Sequence, residues 1–246
     1  MSSVWGEPPN NWTFSNGAPI YYDGTSFVTE YFFYRHPDPA QDSAGATYFW
    51  GNEDNRWYFG SYGKITHASG RNYVLQPTVT DAYIESVAGN RHEAWAVGLR
   101  KLPGTVLHYS DGIWRNWIDH PASLLYSTRA VWCDNIGMRP GGTVVMVGQN
   151  IVQYDTTWEN MTRPLANFMP RQRFFRCVHG TARNNIWAAG DYGGVAHFNG
   201  NTWVRYPELA GGPELHFHSV WALEKHVFLV GQIGWKAIIV MGTRVD

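Results

Sequence analysis

A chain of 246 residues with 19 basic and 20 acidic side chains, and a formal net charge of −1, carries no whole-molecule field that would gather nucleic acid or an anionic membrane surface. Its 13 Trp, and a charged share of only 16%, describe a protein that buries many rings and builds its surface from Ser, Thr, Asn, Gly and Tyr. No apolar run approaches the roughly 20 residues of a membrane helix, and Met1–Pro9 has neither the basic nor the apolar region of a secretory signal, so the expectation is a soluble chain.

One phrase recurs six times along the chain. A short apolar pair opens each unit: Val4-Trp5, Phe49-Trp50, Val87-Ala88, Val131-Trp132, Cys177-Val178 and Val220-Trp221, with steps of 45, 38, 44, 46 and 43 residues between the second members. Units of that length are too small to bury their own apolar surface, so they must stack as a radial or linear array. A second strand follows each pair and ends in Gly: Trp57–Gly60, Trp95–Gly98, Val145–Gly148, Trp187–Gly190 and Phe228–Gly231, with the weaker Trp12–Ser15 in the first unit. These runs are β-branched or aromatic, and the Gly reads as a turn former.

A third strand comes next: Ile20–Tyr22, Thr66–Ala68, Leu107–Tyr109, Val152–Tyr154, Ala196–Phe198 and Ile238–Val240. It leads through a tight turn to an aromatic, as in Asp111-Gly112-Ile113-Trp114 and Asn199-Gly200-Asn201-Thr202-Trp203. Gly supplies positive φ in such turns, and Asp or Asn bonds the backbone two residues on. The last unit keeps Gly242 but has Val245 where the others have a ring.

Val-Trp, then Trp-Ala-Val-Gly, then His-Tyr-x-Asp-Gly-x-Trp resembles the bacterial β-propellers with degenerate Asp-box repeats. The photosystem II stability and assembly factor-like group and the bacterial-neuraminidase-repeat propellers are similar in pattern, across residues 4 to 245. A full Ser-x-Asp-x-Gly-x-Thr-Trp box is found nowhere in the chain. The resemblance implies an all-β, six-bladed β-propeller of four-stranded antiparallel blades, one domain over 1–246, with repeats at about 4–48, 49–86, 87–130, 131–176, 177–219 and 220–246. The sixth repeat stops where its fourth strand should start, so the expectation is a last blade short of four strands, or a chain cut from something longer. A bare edge there would invite pairing with another chain.

Residues shared by every repeat serve packing. His67, His108 and His197 hold equivalent third-strand positions and cannot converge on one metal; they are expected to pack between blades. The same reasoning assigns Trp5, Trp50, Trp132 and Trp221, and Trp12, Trp57, Trp95 and Trp187, to the core. Cys133 and Cys177, two positions out of register, are expected as buried free thiols.

Individuality lies in the long connections at 29–47, 75–86, 115–129, 160–175 and 205–218. The candidate binding residues there are Tyr31, Tyr34, Arg35 and His36 in an aromatic loop, Trp117 and His120, the basic run Arg163, Arg171 and Arg173, and His216 and His218. The scaffold residues recur and the loop residues do not, which points to one composite site that docks a protein or peptide without catalysis. A lectin-like propeller binding glycan is the alternative and a glycosidase or sialidase-like hydrolase the third reading. The latter needs at least two carboxylates and two arginines in one pocket. No metal or cofactor is implied, and no nucleic acid. Trp95→Ala or Trp187→Ala should cost about 3–5 kcal/mol by denaturant unfolding if the rings are core; a loss below about 1 kcal/mol would place them in solvent.

Overall fold

The computed structural model describes residues 3–7, 11–15, 19–22, 24–29, 48–51, 56–60, 63–69, 72–77, 79–90, 92–99, 104–117, 128–155, 157–161 and 174–243. These form five four-stranded sheets and one three-stranded sheet, all antiparallel. In chain order the sheets are β1 (Ser3–Glu7), β2 (Asn11–Ser15), β3 (Pro19–Tyr22) and β4 (Phe27–Thr29); then β5 (Tyr48–Gly51), β6 (Arg56–Phe59), β7 (Ile65–Ser69) and β8 (Asn72–Leu75). The third holds β9 (Tyr83–Gly89), β10 (Ala94–Leu99), β11 (Thr105–Ser110) and β12 (Ile113–Asn116), and the fourth β13 (Ala130–Cys133), β14 (Val144–Val147), β15 (Ile151–Tyr154) and β16 (Trp158–Asn160). The fifth holds β17 (Phe175–Ala182), β18 (Asn185–Gly190), β19 (Val195–Phe198) and β20 (Trp203–Arg205), and the sixth β21 (Leu215–Ala222), β22 (His226–Ile233) and β23 (Lys236–Thr243). A 3-10 turn, Pro207–Leu209, lies between the last two sheets. Among the described residues no helix is long and apolar enough to cross a membrane.

Every sheet is a meander, which the turn residues dictate. Between β11 and β12 the two-residue loop Asp111-Gly112 has φ of 53° and 83°, the mirror-image turn whose twist matches a hairpin. Between β19 and β20, Asn199 Oδ1 accepts from the amides of Asn201 at 3.0 Å and Thr202 at 2.9 Å, with Gly200 at φ 95°. First strands of successive sheets lie side by side in the series β1, β5, β9, β13, β17, β21. The sheets therefore stack in sequence order around their first strands.

The core is a set of ring stacks between sheets. Trp57 and His67 face each other across β6 and β7 with centroids 4.2 Å apart, Trp95 and His108 across β10 and β11 at 4.0 Å, and Trp187 and His197 across β18 and β19 at 4.2 Å. The next sheet then lays rings on the stack. Trp114 meets Trp57 edge-on at 5.5 Å and 86°, and Trp158 meets Trp95 at 5.9 Å and 78°. Trp203 makes the same approach to the fourth sheet, where Gln153 replaces the His and accepts from Trp203 Nε1 at 3.2 Å. The histidines thus pack as expected.

First-strand tryptophans act at a second level. The Trp50 ring lies against Gly89 and the Trp132 ring against Gly180, both glycines of the following first strand or one sheet on, with no room for a Cβ. Trp221 departs from the core expectation: it is 57% exposed. Its ring still stacks on His179 of the fifth sheet at 4.1 Å. Trp187 is only partly buried, unlike Trp95, so its truncation should cost less. Cys133 and Cys177 are free and buried on the first strands β13 and β17; burial pushes both thiols up, Cys177 to about 12.

Polar groups tie one sheet's turn to the next. Glu93 accepts from the Met138 amide at 2.7 Å and shares a 2.9 Å hydrogen bond with His108. Burial pushes its carboxyl up, but the bonds from His108 and Met138 outweigh that and hold it below its usual value. His179 Nδ1 accepts from the Ala222 amide at 3.0 Å. Burial pushes the His179 pKa down to about 4. An unfolded His takes up its proton near 6.5, so the stability from neutral His179 is complete above that pH. It is lost as pH falls toward 4, by on the order of 3 kcal/mol. Urea unfolding at pH 7.5, 5.5 and 4 should show a shallower pH dependence in His179→Gln than in the natural protein; equal slopes would place the imidazole in solvent.

Candidate functional site

The second strand of three repeats carries a glycine that does more than end a strand. Gly98, Gly190 and Gly231 lie against the preceding first strand so closely that a Cβ would fall 2.0 Å from the Tyr83 carbonyl oxygen, 2.0 Å from that of Phe174 and 2.1 Å from that of His216. Opposite each glycine the register of the first strand slips by one residue. Val97 pairs with Ser86 and Gly98 with Ile84, skipping Glu85. Gly190 pairs with Phe175 and Ala189 with Cys177, skipping Arg176. Gly231 pairs with Phe217 and Val230 with Ser219, skipping His218. A β-bulge adds one residue to one strand and re-aims its side chain, and here three sheets do so at the same level.

The three bulge residues converge. Glu85, Arg176 and His218 line one cleft of about 280 Å³ with Tyr48, Tyr83, Ile84 and Arg129, so that five sheets contribute to a single concavity where the first strands begin. The alternation of a strand would send neighbours to opposite faces; the bulge lets one residue at the strand entrance turn to the axis while the apolar residues beside it stay in the core.

The charges are paired across sheets. Arg129 Nη1 donates to both Glu85 oxygens, at 2.6 and 2.8 Å, and its guanidinium sits 5.4 Å above the Phe174 ring. Burial raises the Tyr48 phenol, Glu85 adds to this and Arg129 partly opposes it. Behind the cleft, buried Asp191 accepts from Arg176 Nε, shares a 2.9 Å bond with His216 Nδ1 and accepts from the Phe174 amide at 3.3 Å. Burial raises the Asp191 carboxyl, but Arg176 and His216 more than offset it and keep it ionised. The turn after Asp191 holds Tyr192 at φ 60°, an uncommon conformation for a bulky residue, with its ring 5.9 Å from His216. At the same end of the molecule, the β22–β23 turn presents Trp235 fully exposed beside exposed Ile233.

Several sequence expectations can be placed. His216 and His218 lie on β21 and not in the loop expected over 205–218, with rings 6.4 Å apart; His216 is committed to Asp191 and His218 faces the cleft. Among the described residues no group of three or more His, Cys, Asp or Glu is arranged to hold a metal ion. Trp117, expected on the binding face, is instead half-buried, with its ring 5.3 Å from Trp95 and 5.4 Å from His108; the apolar surface between the third and fourth sheets claims it. Tyr31, Tyr34, Arg35, His36, His120, Arg163, Arg171 and Arg173 lie outside the described residues. Tyr48, Glu85, Arg129, Asp191 and Trp235 are not among the residues that the sequence pattern marks. Their signal was the repeat read upstream: Glu85, Arg129 and His218 each precede the second member of an opening pair by three residues.

No protein-family model and no curated protein sequence matches the chain. Solved structures do resemble it. YCF48 bound to D1 peptide superposes with a TM-score of 0.68 at 17% identity, over 99% of this chain and 77% of that one. YCF48 from Cyanidioschyzon merolae gives 0.56 at 12% identity, over 98% of this chain and 93% of that one. The WD40 repeats of RRP9 give 0.60 at 12% identity, over 94% and 76%. The shared property at these identities is the fold, an all-β propeller of antiparallel blades.

The bulges make a direct prediction. Gly190→Ala should destabilise by about 2–4 kcal/mol in urea unfolding, because backbone has to move, whereas Gly212→Ala, whose Cβ meets nothing within 4 Å, should change stability by less than about 0.5 kcal/mol. Equal effects at the two positions would show that the bulge does not depend on the glycine.

Proposed function

We propose that the chain is a six-bladed propeller that works as a non-catalytic platform, docking a protein or peptide partner on the face from which the long loops emerge, with the cleft at the first-strand entrances as its centre. The observation that carries this reading is the convergence of three bulge residues from three sheets, Glu85, Arg176 and His218, with Arg129, Tyr48 and Tyr83, on one concavity. Such a set offers hydrogen-bond donors and ring faces to backbone carbonyls and carboxylates. Exposed Trp235 on the same face is the type of aromatic anchor that dominates protein interfaces. A protein of like fold, YCF48, has been seen bound to a peptide. The loops holding Tyr31, Tyr34, Arg35, His36, His120, Arg163, Arg171 and Arg173 belong to this face in the proposal and extend the cleft outward.

A hydrolase of the glycosidase type finds less support. The cleft lining supplies two arginines but one carboxylate, Glu85, which is held by both oxygens on Arg129; Asp191 is buried behind it and engaged with Arg176 and His216. Most glycosidases use two carboxylates facing across an open gap, and a sialidase-type site wants three converging arginines; the lining supplies one carboxylate and two arginines.

The test is a pull-down with the intact protein, with Arg129→Ala/His218→Ala, and with a variant whose 29–47 loop is a short Gly/Ser linker. Both variants should recover at least about tenfold less of the partner while keeping the natural far-UV CD spectrum. Undiminished recovery by both would move the docking face elsewhere, and saturable binding on a glycan array lost in the double variant would replace the peptide by a sugar.

A further inference from the structure

Among the described residues that line the entrance cleft, the fixed charges already have partners of opposite sign. Arg129 holds Glu85, and Arg176 holds Asp191 behind the cleft, where His216 Nδ1 lies 2.9 Å from the same Asp191 oxygen. His218 differs from all of these. The bulge between Phe217 and Ser219 takes it out of the pairing with β22 and leaves it on the cleft wall. Among the described residues it has no hydrogen-bond or ion-pair partner, and its ring neighbour is His216, with centroids 6.4 Å apart.

The two arginines also keep donors in reserve. Arg176 reaches Asp191 through Nε alone, so among the described residues Nη1 and Nη2, the forked edge of its guanidinium, donate to nothing. Arg129 reaches Glu85 through Nη1 alone and keeps Nε and Nη2. A guanidinium fork matches the two oxygens of a carboxylate. The cleft's own carboxylate does not compete for the Arg176 fork, because both Glu85 oxygens are held on Arg129. Tyr48, Tyr83 and Ile84 complete the wall with ring and aliphatic surface against which the methylene stem of a side chain can lie. Burial and then Glu85 push the Tyr48 phenol up, so it adds no charge near neutral pH.

We infer that the cleft takes an Asp or Glu side chain of the docked protein, its carboxylate bridging Arg176 and His218, and that a proton on His218 strengthens this contact. The inference rests on the docking reading above and names the group that enters the cleft. An imidazole without a charged partner takes up its proton between pH 7.5 and 5.5, a range in which Asp and Glu stay ionised. At the upper pH the two ion pairs leave the cleft close to neutral. At the lower pH His218 contributes a positive charge that no described group balances, so the affinity for a carboxylate rises as pH falls. The other charged groups that face His218 are the paired ones: Glu85 and Arg129 from the third and fourth sheets, and Arg176 and Asp191 from the fifth, with His216 on its own strand tied to Asp191.

The probe is an array of random nonapeptides, acetylated at the N-terminus and anchored through the C-terminus, so that side chains supply the only carboxylates. The intact protein is applied at pH 5.5, and the strongest binder is remade in amidated, fluorescent form for anisotropy. That peptide should contain Asp or Glu, and exchange of this residue for its amide should weaken it at least about tenfold. Binding to the natural protein should be at least about fivefold tighter at pH 5.5 than at pH 7.5. His218→Lys, with a charge that does not titrate in this range, should bind equally well at both pH values, and His218→Gln weakly at both, each with the natural CD spectrum. A pH dependence that survives in His218→Lys overturns the inference, as does a selected peptide without Asp or Glu, while both leave the docking reading standing. Selection of a Lys or Arg peptide that competes for Glu85 overturns it too. An array on which nothing binds overturns the inference and the docking reading together.

Discussion

Contact between rings of neighbouring sheets is the constraint on which the rest of this protein depends. A four-stranded sheet of some 40 residues cannot enclose a Trp by itself, so each sheet leaves its second-strand ring for the next to cover. Trp57 waits for Tyr109 and Trp114, and Trp95 for Trp158. The opposed histidines contribute flat faces to the stacks, and their nitrogens reach turn residues such as Glu93 and Asn185, so that ring packing and turn geometry are solved by the same residues. The order of sheets in space follows from this dependence, since each stack needs the following unit.

Function is built into the same repeat at a different level. A glycine in the second strand allows the first strand to crowd against it and carry an extra residue, and the extra residue is free to be anything. It is acidic in the third sheet, Arg in the fifth and His in the sixth. A backbone device repeated in three sheets with a different side chain each time is how a repetitive scaffold makes a site that is not repetitive. The paired charges, Glu85 with Arg129 and Arg176 with Asp191, keep the entrance close to neutral, in keeping with the net charge of −1 of the whole chain.

Much of this was legible in the sequence. The opening pairs, the aromatic second strands and the Asp-Gly and Asn-Gly turns locate the sheets, because period and turn chemistry are local properties. Trp95 and His108 were assignable to packing for the same reason. The bulges were not legible. Gly98, Gly190 and Gly231 read as turn formers, and a one-residue slip leaves no mark on strands this short, so nothing in the pattern marks Glu85 and Arg129, and His216 and His218 look like the end of a loop. Trp221 misled because its register promised a neighbour; burial depends on what stands beside a sheet, which a pattern within the unit does not encode. Trp117 looked like a loop residue by position, yet it follows the fourth strand immediately and the core takes it.

The two thiols add a practical dimension. Cys133 and Cys177 sit in adjacent first strands, unbridged, shut away from water and kept in the protonated form by burial. A maleimide or other alkylating reagent attacks the thiolate, so both side chains should stay silent while the sheets remain stacked and react when neighbouring units part. Cys133 packs between the third and fourth sheets and Cys177 between the fifth and sixth, so each thiol reports on breathing at its own interface, readable by mass without any engineered label.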